Sequence, residues 1–417
     1  MATAAERLSD ELVRHAIDLE RLEAGTAQKI VALLRGSDAA MAAALRERLK
    51  IWGETGTANT ARKAKSLQNL IDKTLAERRA VWTEVRQAVD GELTNTGKLE
   101  NQFQAEALED SIGLEEVGVA AGTAAVTRRL SKGSPVEGAR VIAHLRTIER
   151  AERETIRAAV QGGAVDGAKA DDIVDGLRGT RSGGFKDGSL QTARRNLGTA
   201  VQTGMVALVN TVRQNVWQES GIVAGQIWVA ILDGRTTLIC QSRDGRGTPY
   251  PGREDDFPAG IPRLDPPDAR PPAHFNCRSH LEAVLADQQV IKPHRVTVTS
   301  TIPDKNKTIN FRNLAKRKAG DRWRRMTERQ RRRLIRVEQN TWAAENIGTV
   351  APQTTYPEFL ARQSAKFQDS VLGPTRGALF RRGDLPIDKF VDFNGKPVTL
   401  DLLKQQNPAA FRRAGID

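Results

Sequence analysis

The sequence is poor in the residue types that mark several protein classes. Its 417 residues include two cysteines, which excludes a disulfide-built scaffold and suits a reducing compartment. Aromatic residues make up 5%, so we expect an aliphatic, alanine-rich core. No run of about 20 apolar residues is present, so no membrane span is expected. The first twelve residues carry acids where a signal peptide needs an apolar core, so secretion by that route is not expected.

Proline is almost absent from the first 248 residues, which contain only Pro135, whereas nine prolines fall between 249 and 293. Because proline removes a backbone donor and clashes with the preceding helical turn, this contrast predicts a helical first half followed by a long proline-rich loop. Hydrophobic residues make up 39% of the chain and charged residues 28%, which is enough apolar side chain for a folded core.

Apolar residues recur at helical spacing through the first half. Leu67, Leu70, Ile71 and Leu75 belong to a stripe over 61–93 that predicts a long amphipathic helix or a helical hairpin. Before it, the pattern predicts a helix capped by Ser9, interrupted at Gly25 and ended at Gly36, and a second helix capped by Ser37. Ser134-Pro135-Val136-Glu137 has the composition of a helix start.

Residues 226–233 break the helical period with β-branched and aromatic side chains, so they predict a buried strand. We expect it to pair with 278–284 or 294–300 and to leave Trp228 partly buried. The predicted fold is therefore mainly α with a small α+β module. The predicted domains are a helical region over 1–130, a second helical region over 131–225, the α+β module with a short sheet over 226–300, and a basic helical C-terminal region over 301–417.

Positive charge is concentrated in residues 312–336, called here the basic segment. It holds twelve Lys and Arg residues against Asp321 and Glu328, so ten of the chain's net +13 charges lie in it. Such density indicates a polyanion partner, and duplex DNA bound without sequence preference fits it. Trp323 is a candidate to stack on a base or sugar. The alternatives are a solvated helix and a signal for partner docking. The candidate contacts are Lys316, Arg317, Lys318, Arg322, Arg324, Arg325, Arg329, Arg331, Arg332, Arg333 and Arg336.

Both cysteines of the chain and two of its five histidines lie in the stretch 228–281. His274 and Cys277 form an H-x-x-C spacing that allows both side chains to bind one metal, and Cys240 is a third candidate ligand. Zinc is the ion that such donors favour, with Asp244, His280 or water in the fourth position. Two other interpretations remain open. The thiols are also explained as buried packing groups, and a Cys240–Cys277 disulfide is disfavoured by the reducing compartment.

Catalytic signatures are missing from the sequence. It contains no G-x-S-x-G, phosphate loop, HExxH or dinucleotide fingerprint, so an enzyme is not expected. Two acids, Asp265 and Asp268, lie near His274 in the sequence and together with it have the residue types of a metal nuclease site. They lie, however, in the proline-rich stretch. An ion-pair network that pins this loop to the strand is an alternative use of the charged residues, because buried charges must be paired; its candidates are Asp233, Arg235, Asp244 and Arg278.

The same stretch resembles a known family along about 50 residues. The text W-x-A-x-x-D-x-R-T begins at Trp228 and includes Asp233 and Arg235; Cys240 and Asp244-Gly245 follow, and P-P-x-H-x-x-C-R closes it with Pro272 and Arg278. This order resembles the Mu F-like domain of minor head proteins, or head morphogenesis proteins, of tailed bacteriophages. The C-terminal text Thr355-Tyr356-x-x-Phe359-Leu360-x-x-Gln363, with Val371-Leu372-Gly373-x-x-Arg376 and Gly383, is similar to that of phage minor head proteins. The loop from Gly245 to Ala273 is longer than the family pattern.

The resemblance implies a structural virion protein present in few copies. Such proteins act in head morphogenesis near the portal vertex, in the host cytoplasm during assembly and inside the phage head afterwards, and some bind DNA or leave with it at infection. The implied partners are the portal protein, major capsid or scaffold proteins and double-stranded DNA. The alternative function is a metal-dependent nuclease or transferase that uses the His274/Cys277 loop.

Overall fold

The computed structural model describes residues 4–54, 60–112, 135–136, 139–285, 295–298, 311–327, 330–331, 334, 347–350, 354–392 and 396–416. These residues divide into two compact units. The helical unit comprises residues 15–220 together with 274–277. The sheet unit comprises residues 1–14, 221–273 and 278–417.

Among the described residues, five helices and one short hairpin make up most of the helical unit, and the first helix begins in residues that are counted with the sheet unit. Apolar residues of its helices at positions 41–49, 70–75, 156–160 and 173–190 form one core cluster, so the predicted amphipathic stripe over 61–93 is confirmed within a single helix. The elements are α1 (Ala4–Glu54), α2 (Thr60–Ile112), β1 (Pro135–Val136), β2 (Ala139–Arg140), α3 (Val141–Val165), α4 (Ala170–Arg178) and α5 (Leu190–Ser220).

Several predicted helix boundaries are wrong. Helix α1 begins at Ala4 and contains both Ser9 and Ser37, so neither serine caps a helix start. Helix α1 continues through Gly25 and Gly36, since a glycine costs a helix only about 1 kcal/mol and the flanking apolar stripe stabilises both sides. Pro135, expected at a helix start, lies in β1, which pairs antiparallel with β2, and the helix begins at Val141. Proline is also favoured at the first residue of a strand, so the local composition fits both structures.

A buried ionic network joins four helices of the helical unit. The guanidinium of Arg78 on α2 is 1% exposed and contacts Glu152 of α3 at 2.6 and 2.9 Å and Asp38 of α1 at 2.8 Å. Arg194 of α5 contacts the other oxygen of Asp38 at 2.6 Å. The indole of Trp82 donates to Glu152 at 2.5 Å. Two positive and two negative groups are thus buried together, which satisfies the requirement that buried charges be paired.

The sheet unit is built around a three-stranded antiparallel sheet in the order β4-β3-β5, formed by β3 (Val223–Val229), β4 (Gly247–Pro249) and β5 (His280–Leu285). The strand predicted over 226–233 is therefore confirmed as far as Val229, and so is its pairing with 278–284, because Trp228 lies opposite Leu281. The expected partial burial of Trp228 is wrong, since the side chain is 0% exposed. Strand β4 was not predicted, because its Gly-Thr-Pro sequence has little strand propensity.

The proline-rich loop packs back onto this sheet. Phe257 and Ile261 form an apolar cluster with Ile227, Val229 and Val284 of β3 and β5. Gly225 allows the close approach, because a Cβ atom there would lie 2.6 Å from the Phe257 ring and 2.4 Å from a backbone oxygen of β4. The loop is thus held to the sheet by apolar side chains as well as by its turns.

The C-terminal part of the sheet unit is helical. Its helices enclose a core that runs from Leu232 through Tyr356, Phe359 and Phe390 to Phe411. Helix α6 (Leu238–Arg243) lies between β3 and β4. The elements that follow β5 are β6 (Arg295–Val298), α7 (Phe311–Ala319), α8 (Arg322–Arg325), β7 (Ile347–Val350), α9 (Tyr356–Ala361), α10 (Ala365–Leu372), α11 (Pro374–Arg382), a 3₁₀ turn (Ile387–Phe390), α12 (Leu400–Gln406) and α13 (Pro408–Ala414). Strand β6 pairs with β7.

The predicted fold class, mainly α with a small α+β module, is confirmed. Among the described helices, none combines the length and the apolar character that a membrane crossing requires. The four-domain division drawn from the sequence stays a prediction.

Candidate metal centre and nucleic-acid interface

The end of strand β3 leads into a polar turn centred on Asp233. Both of its carboxylate oxygens accept from the guanidinium of Arg278, each at 2.8 Å. The backbone N–H groups of Arg235 and Thr236 donate to Oδ1 at 2.9 and 3.1 Å. Burial alone would raise the pKa of Asp233, but the paired guanidinium and these amides hold it below its usual value. Asp233 is therefore a structural anion that ties strand β3 to the chain just before β5.

Asp244 connects two segments that are far apart in the sequence. Its Oδ1 accepts from the backbone N–H of Ala230 at 2.7 Å, and its Oδ2 accepts from that of Tyr356 at 2.6 Å. The Tyr356 hydroxyl donates to the backbone oxygen of Asp233 at 2.7 Å. Burial raises the pKa of Tyr356, so its hydroxyl stays protonated as a donor. The motif at 228–281 and the C-terminal text at 355–383 thus meet at one buried point.

The charged motif residues do not form one closed ion-pair network. The structure pairs Asp233 with Arg278, whereas Arg235 contacts Asp233 through its backbone N–H and Asp244 binds backbone amides. Pro272 is half-buried in the loop that leads to Arg278. The contacts differ from the predicted ion-pair network because a short turn exposes several backbone N–H groups, which a carboxylate can satisfy without a second arginine.

The three candidate metal ligands come together. The donor atoms of Cys240, His274 and Cys277 all lie within 4.8 Å of one another. Cys240 belongs to α6, and a turn in which the Cys277 N–H donates to the His274 carbonyl at 3.2 Å brings the other two together. Both cysteines are reduced and buried. These three residues form a cluster able to bind a metal.

The hydrogen bonding of His274 suits a ligand role. Its Nδ1 lies 2.8 Å from the carbonyl oxygen of Phe275, which can only accept, so the proton is on Nδ1 and the lone pair is on Nε2. Metal-binding histidines commonly donate their other ring N–H in this way, which fixes the tautomer and the ring orientation. Two sulfurs and one imidazole nitrogen are donors that zinc prefers over magnesium or calcium.

Neither predicted protein candidate for the fourth position joins the cluster. Among the described residues the group consists of Cys240, His274 and Cys277 alone. Asp244 uses both oxygens to accept backbone amides, and His280 contacts Glu282 at 3.2 Å. Of the alternatives drawn from the sequence, water is the one that this geometry leaves for the fourth position. Three protein ligands with one open position is the arrangement found in catalytic zinc sites, whereas structural sites normally have four.

The described part of the basic segment forms two short helices, α7 and α8, around a small core. Ala315, Ala319 and Trp323 are buried together, and Met326 and Leu334 pack against them. The candidate contacts divide by exposure. Six are exposed, namely Lys316, Arg317, Lys318, Arg322, Arg324 and Arg325. Arg331 is half-buried, and Arg329, Arg332, Arg333 and Arg336 lie outside the described residues.

The expectation that Trp323 stacks on a base or sugar is wrong. Its side chain is 6% exposed, and the guanidinium groups of Arg312 and Arg331 lie 5.9 and 5.5 Å from its ring centroid. The indole is therefore the core of this small module, and cation–π contacts occupy its faces. Nucleic-acid contact by α7 and α8 is left to charged side chains that reach phosphates.

Sequence reasoning missed the role of Tyr356 as a link between the two motif segments. The signal that could have found it is local, because Thr355 and Glu358 form a capping box that fixes a helix start in which the Tyr356 N–H is one of the unsatisfied donors. The partner of that donor, Asp244, is 112 positions away, and spacing alone does not identify such a contact.

Comparison with known proteins identifies no relative. No protein-family model, no curated protein and no solved structure matches this chain. Function must therefore be argued from the residues and the geometry described above.

Proposed function

We propose that this protein is a structural minor head protein of a tailed bacteriophage, which acts in head morphogenesis at the portal vertex and contacts packaged DNA. One observation carries the proposal. The two sequence segments that resemble phage minor head proteins fold into one interlocked module. They are joined by the carboxylate of Asp244, which accepts from the Tyr356 N–H, and by the Tyr356 hydroxyl, which donates to the backbone oxygen of Asp233. Residues of a shared motif are expected to converge in this way when the motif encodes one fold.

The remaining residues of the C-terminal text support the same proposal. Phe359, Leu360 and Leu372 are buried in the core that contains Leu232. Gly373 has φ 82° and caps α10, a conformation that favours glycine. A Cβ atom at Gly383 would lie 2.6 and 2.8 Å from two backbone oxygens. These motif residues are therefore explained by packing, as expected for an assembly protein without a catalytic centre.

In this proposal the cluster of Cys240, His274 and Cys277 binds zinc, and the ion holds the proline-rich loop closed. We expect the purified protein to contain about one zinc per chain, measured by elemental analysis. His274→Ala and Cys277→Ser each remove one of three ligands, so both should lose most of the metal and lower the thermal midpoint. His280→Ala is the matched control and should keep full occupancy, because His280 contacts Glu282 and lies outside the cluster. If the purified protein contains no metal and added zinc does not change its thermal midpoint, only the packing interpretation of the two cysteines remains.

DNA contact is assigned to the exposed bases of α7 and α8. The triple variant Arg322→Gln, Arg324→Gln, Arg325→Gln should bind all duplex sequences more weakly. If each arginine contacts one phosphate, the log–log slope of affinity against salt should become shallower by about 2.7. Fluorescence anisotropy across a salt series measures this slope.

The matched control removes three exposed bases elsewhere in the sheet unit, Arg362, Lys366 and Lys404, each changed to glutamine. This control should retain most of the slope. If the salt slope becomes shallower by the same amount in both triple variants, binding depends on net charge alone, and the assignment to α7 and α8 is withdrawn.

The role in assembly is tested in the genome that encodes the protein. Deleting the gene, or introducing Asp244→Ala, should reduce the number of DNA-filled heads seen by electron microscopy, and supplying the wild-type gene in trans should restore them. We expect the protein to be retained by immobilised portal protein or by capsid or scaffold protein from the same genome. Normal numbers of infectious particles without the gene would contradict the proposal.

The alternative function, a metal-dependent nuclease or transferase, is favoured by one observation, which is that the cluster has three protein ligands among the described residues and not four. The two functions differ in what His274→Ala does. An assembly protein loses stability and has no turnover to lose, whereas an enzyme loses turnover and keeps its fold. Plasmid cleavage assays with zinc, magnesium and manganese distinguish them, since nicking by the wild type that is abolished in His274→Ala would favour the enzyme.

A further inference from the structure

Helix α3 carries its positive and negative residues on different faces. Its sequence between 146 and 157 holds four arginines and three glutamates, a pattern that normally indicates a solvated helix with its own ion pairs. In the structure two of the glutamates point inward. Glu149 is 7% exposed and pairs with Arg86 of α2, and Glu152 is 3% exposed and pairs with Arg78. The third, Glu154, has a 62% exposed side chain.

Inward pairing of the acids leaves the arginines in excess at the surface. They are spaced four, three and four positions apart, so at 100° per residue they fall within a narrow stripe of the helix. The stripe, called here the arginine face, consists of Arg146, Arg150, Arg153 and Arg157. Arg146 and Arg150 are exposed, and Arg153 and Arg157 are half-buried. Eleven residues of rise make the stripe about 16 Å long.

The arginine face is poorly neutralised by the protein itself. Among the described residues, the structure pairs Arg157 with Glu154 at 3.2 Å, a contact across an exposed helix surface that contributes little. The Nε atom of Arg153 is buried and has no hydrogen-bond partner. Four guanidinium groups held on one rigid helix repel each other unless an anion binds them.

We infer that the arginine face is a second docking surface for the phosphate backbone of duplex DNA. Charge complementarity supports this occupant, because the duplex presents one negative charge per about 1.7 Å of its axis and so offers about ten along the length of the stripe. Guanidinium groups bind phosphate by paired N–H donors. The choice of DNA over another polyanion rests on the proposed function, whereas the charge segregation on α3 does not.

The test compares two triple variants of the full chain in fluorescence anisotropy with duplexes of two unrelated sequences. The first changes Arg146, Arg150 and Arg157 to glutamine and keeps Arg153, because its Nε is buried. The control changes Arg35, Arg181 and Arg195, three exposed arginines of the same unit, and removes the same charge. We expect the first variant to make the salt slope shallower by about 2.7 for both sequences and the control to stay within about 0.5 of the wild-type slope. Circular dichroism checks that both variants are folded.

Two results would overturn the inference. Equal slopes for the two variants would mean that DNA does not contact the arginine face. A first variant that keeps the wild-type DNA slope but loses binding to polyglutamate would mean that the face docks an acidic protein surface. These outcomes differ from a failure of the proposed function. If the protein is absent from virions but the salt slope of its DNA binding still depends on the arginine face, only the assembly role is contradicted.

Discussion

Replacing Asp244 with alanine is expected to lower the free energy of unfolding of the sheet unit by about 2–6 kcal/mol. The substitution leaves the buried backbone N–H groups of Ala230 and Tyr356 without their acceptor, and each unsatisfied buried donor costs about 1–3 kcal/mol. Asp244→Asn should cost about half as much, because the amide oxygen can still accept from one N–H while its NH₂ group faces the other. Urea unfolding followed by tryptophan fluorescence measures both.

Asp255→Ala is the matched control for this series. Asp255 is an exposed carboxylate of the proline-rich loop, so its removal should change the unfolding free energy by less than about 0.5 kcal/mol. If Asp244→Ala behaves like Asp255→Ala, the carboxylate does not join the two motif segments and the interlocked module is wrong.

The other large effect is expected at Arg78 in the helical unit. Arg78→Met removes the guanidinium that neutralises Asp38 and Glu152, which are both buried, so the cost should be about 3–5 kcal/mol. Arg79→Met changes the neighbouring exposed arginine and should be nearly neutral. Denaturant unfolding monitored by far-ultraviolet circular dichroism measures the loss, because most described residues of this unit are helical.

The pH dependence of the Arg78→Met deficit gives a second readout. Burial already raises the pKa of Asp38, and Arg78 opposes that rise. Without the guanidinium, the folded-state pKa of Asp38 should lie further above its unfolded value. A raised folded pKa makes the folded state lose stability as pH rises above the unfolded value of about 4. The deficit should therefore be smaller at pH 4 than at pH 7, and a deficit independent of pH would mean that lost packing, and not unpaired charge, is the cause.

The parts of the fold set by local pattern could be predicted from the sequence. The stripe that includes Leu70 and Leu75 identified a long helix because burial of one face repeats every 3.6 residues. The change of period at Ile227 and Trp228 identified the central strand, and the H-x-x-C spacing with Cys240 identified the three side chains that cluster. In each case the information lies within a few consecutive turns or strand residues.

The remaining features depend on contacts between distant residues. The arginines that surround Trp323 in the sequence predict a stacking group, yet Trp323 is the core of its own module. Pro135 satisfies a helix start and a strand start equally well. The basic character of α3 is hidden because Glu149 and Glu152 are neighbours of the arginines in sequence but turn toward α2. Only the packing partner decides which residues face solvent.

The claim that this protein is a minor head component is tested most directly by quantitative mass spectrometry of purified virions produced from the genome that encodes it. The account predicts that the protein is present in particles at a few copies per portal ring, and that it remains with DNA-filled heads after tails are removed. Its absence from purified virions and from assembling procapsids, with the protein found only in the soluble lysate, would contradict the account.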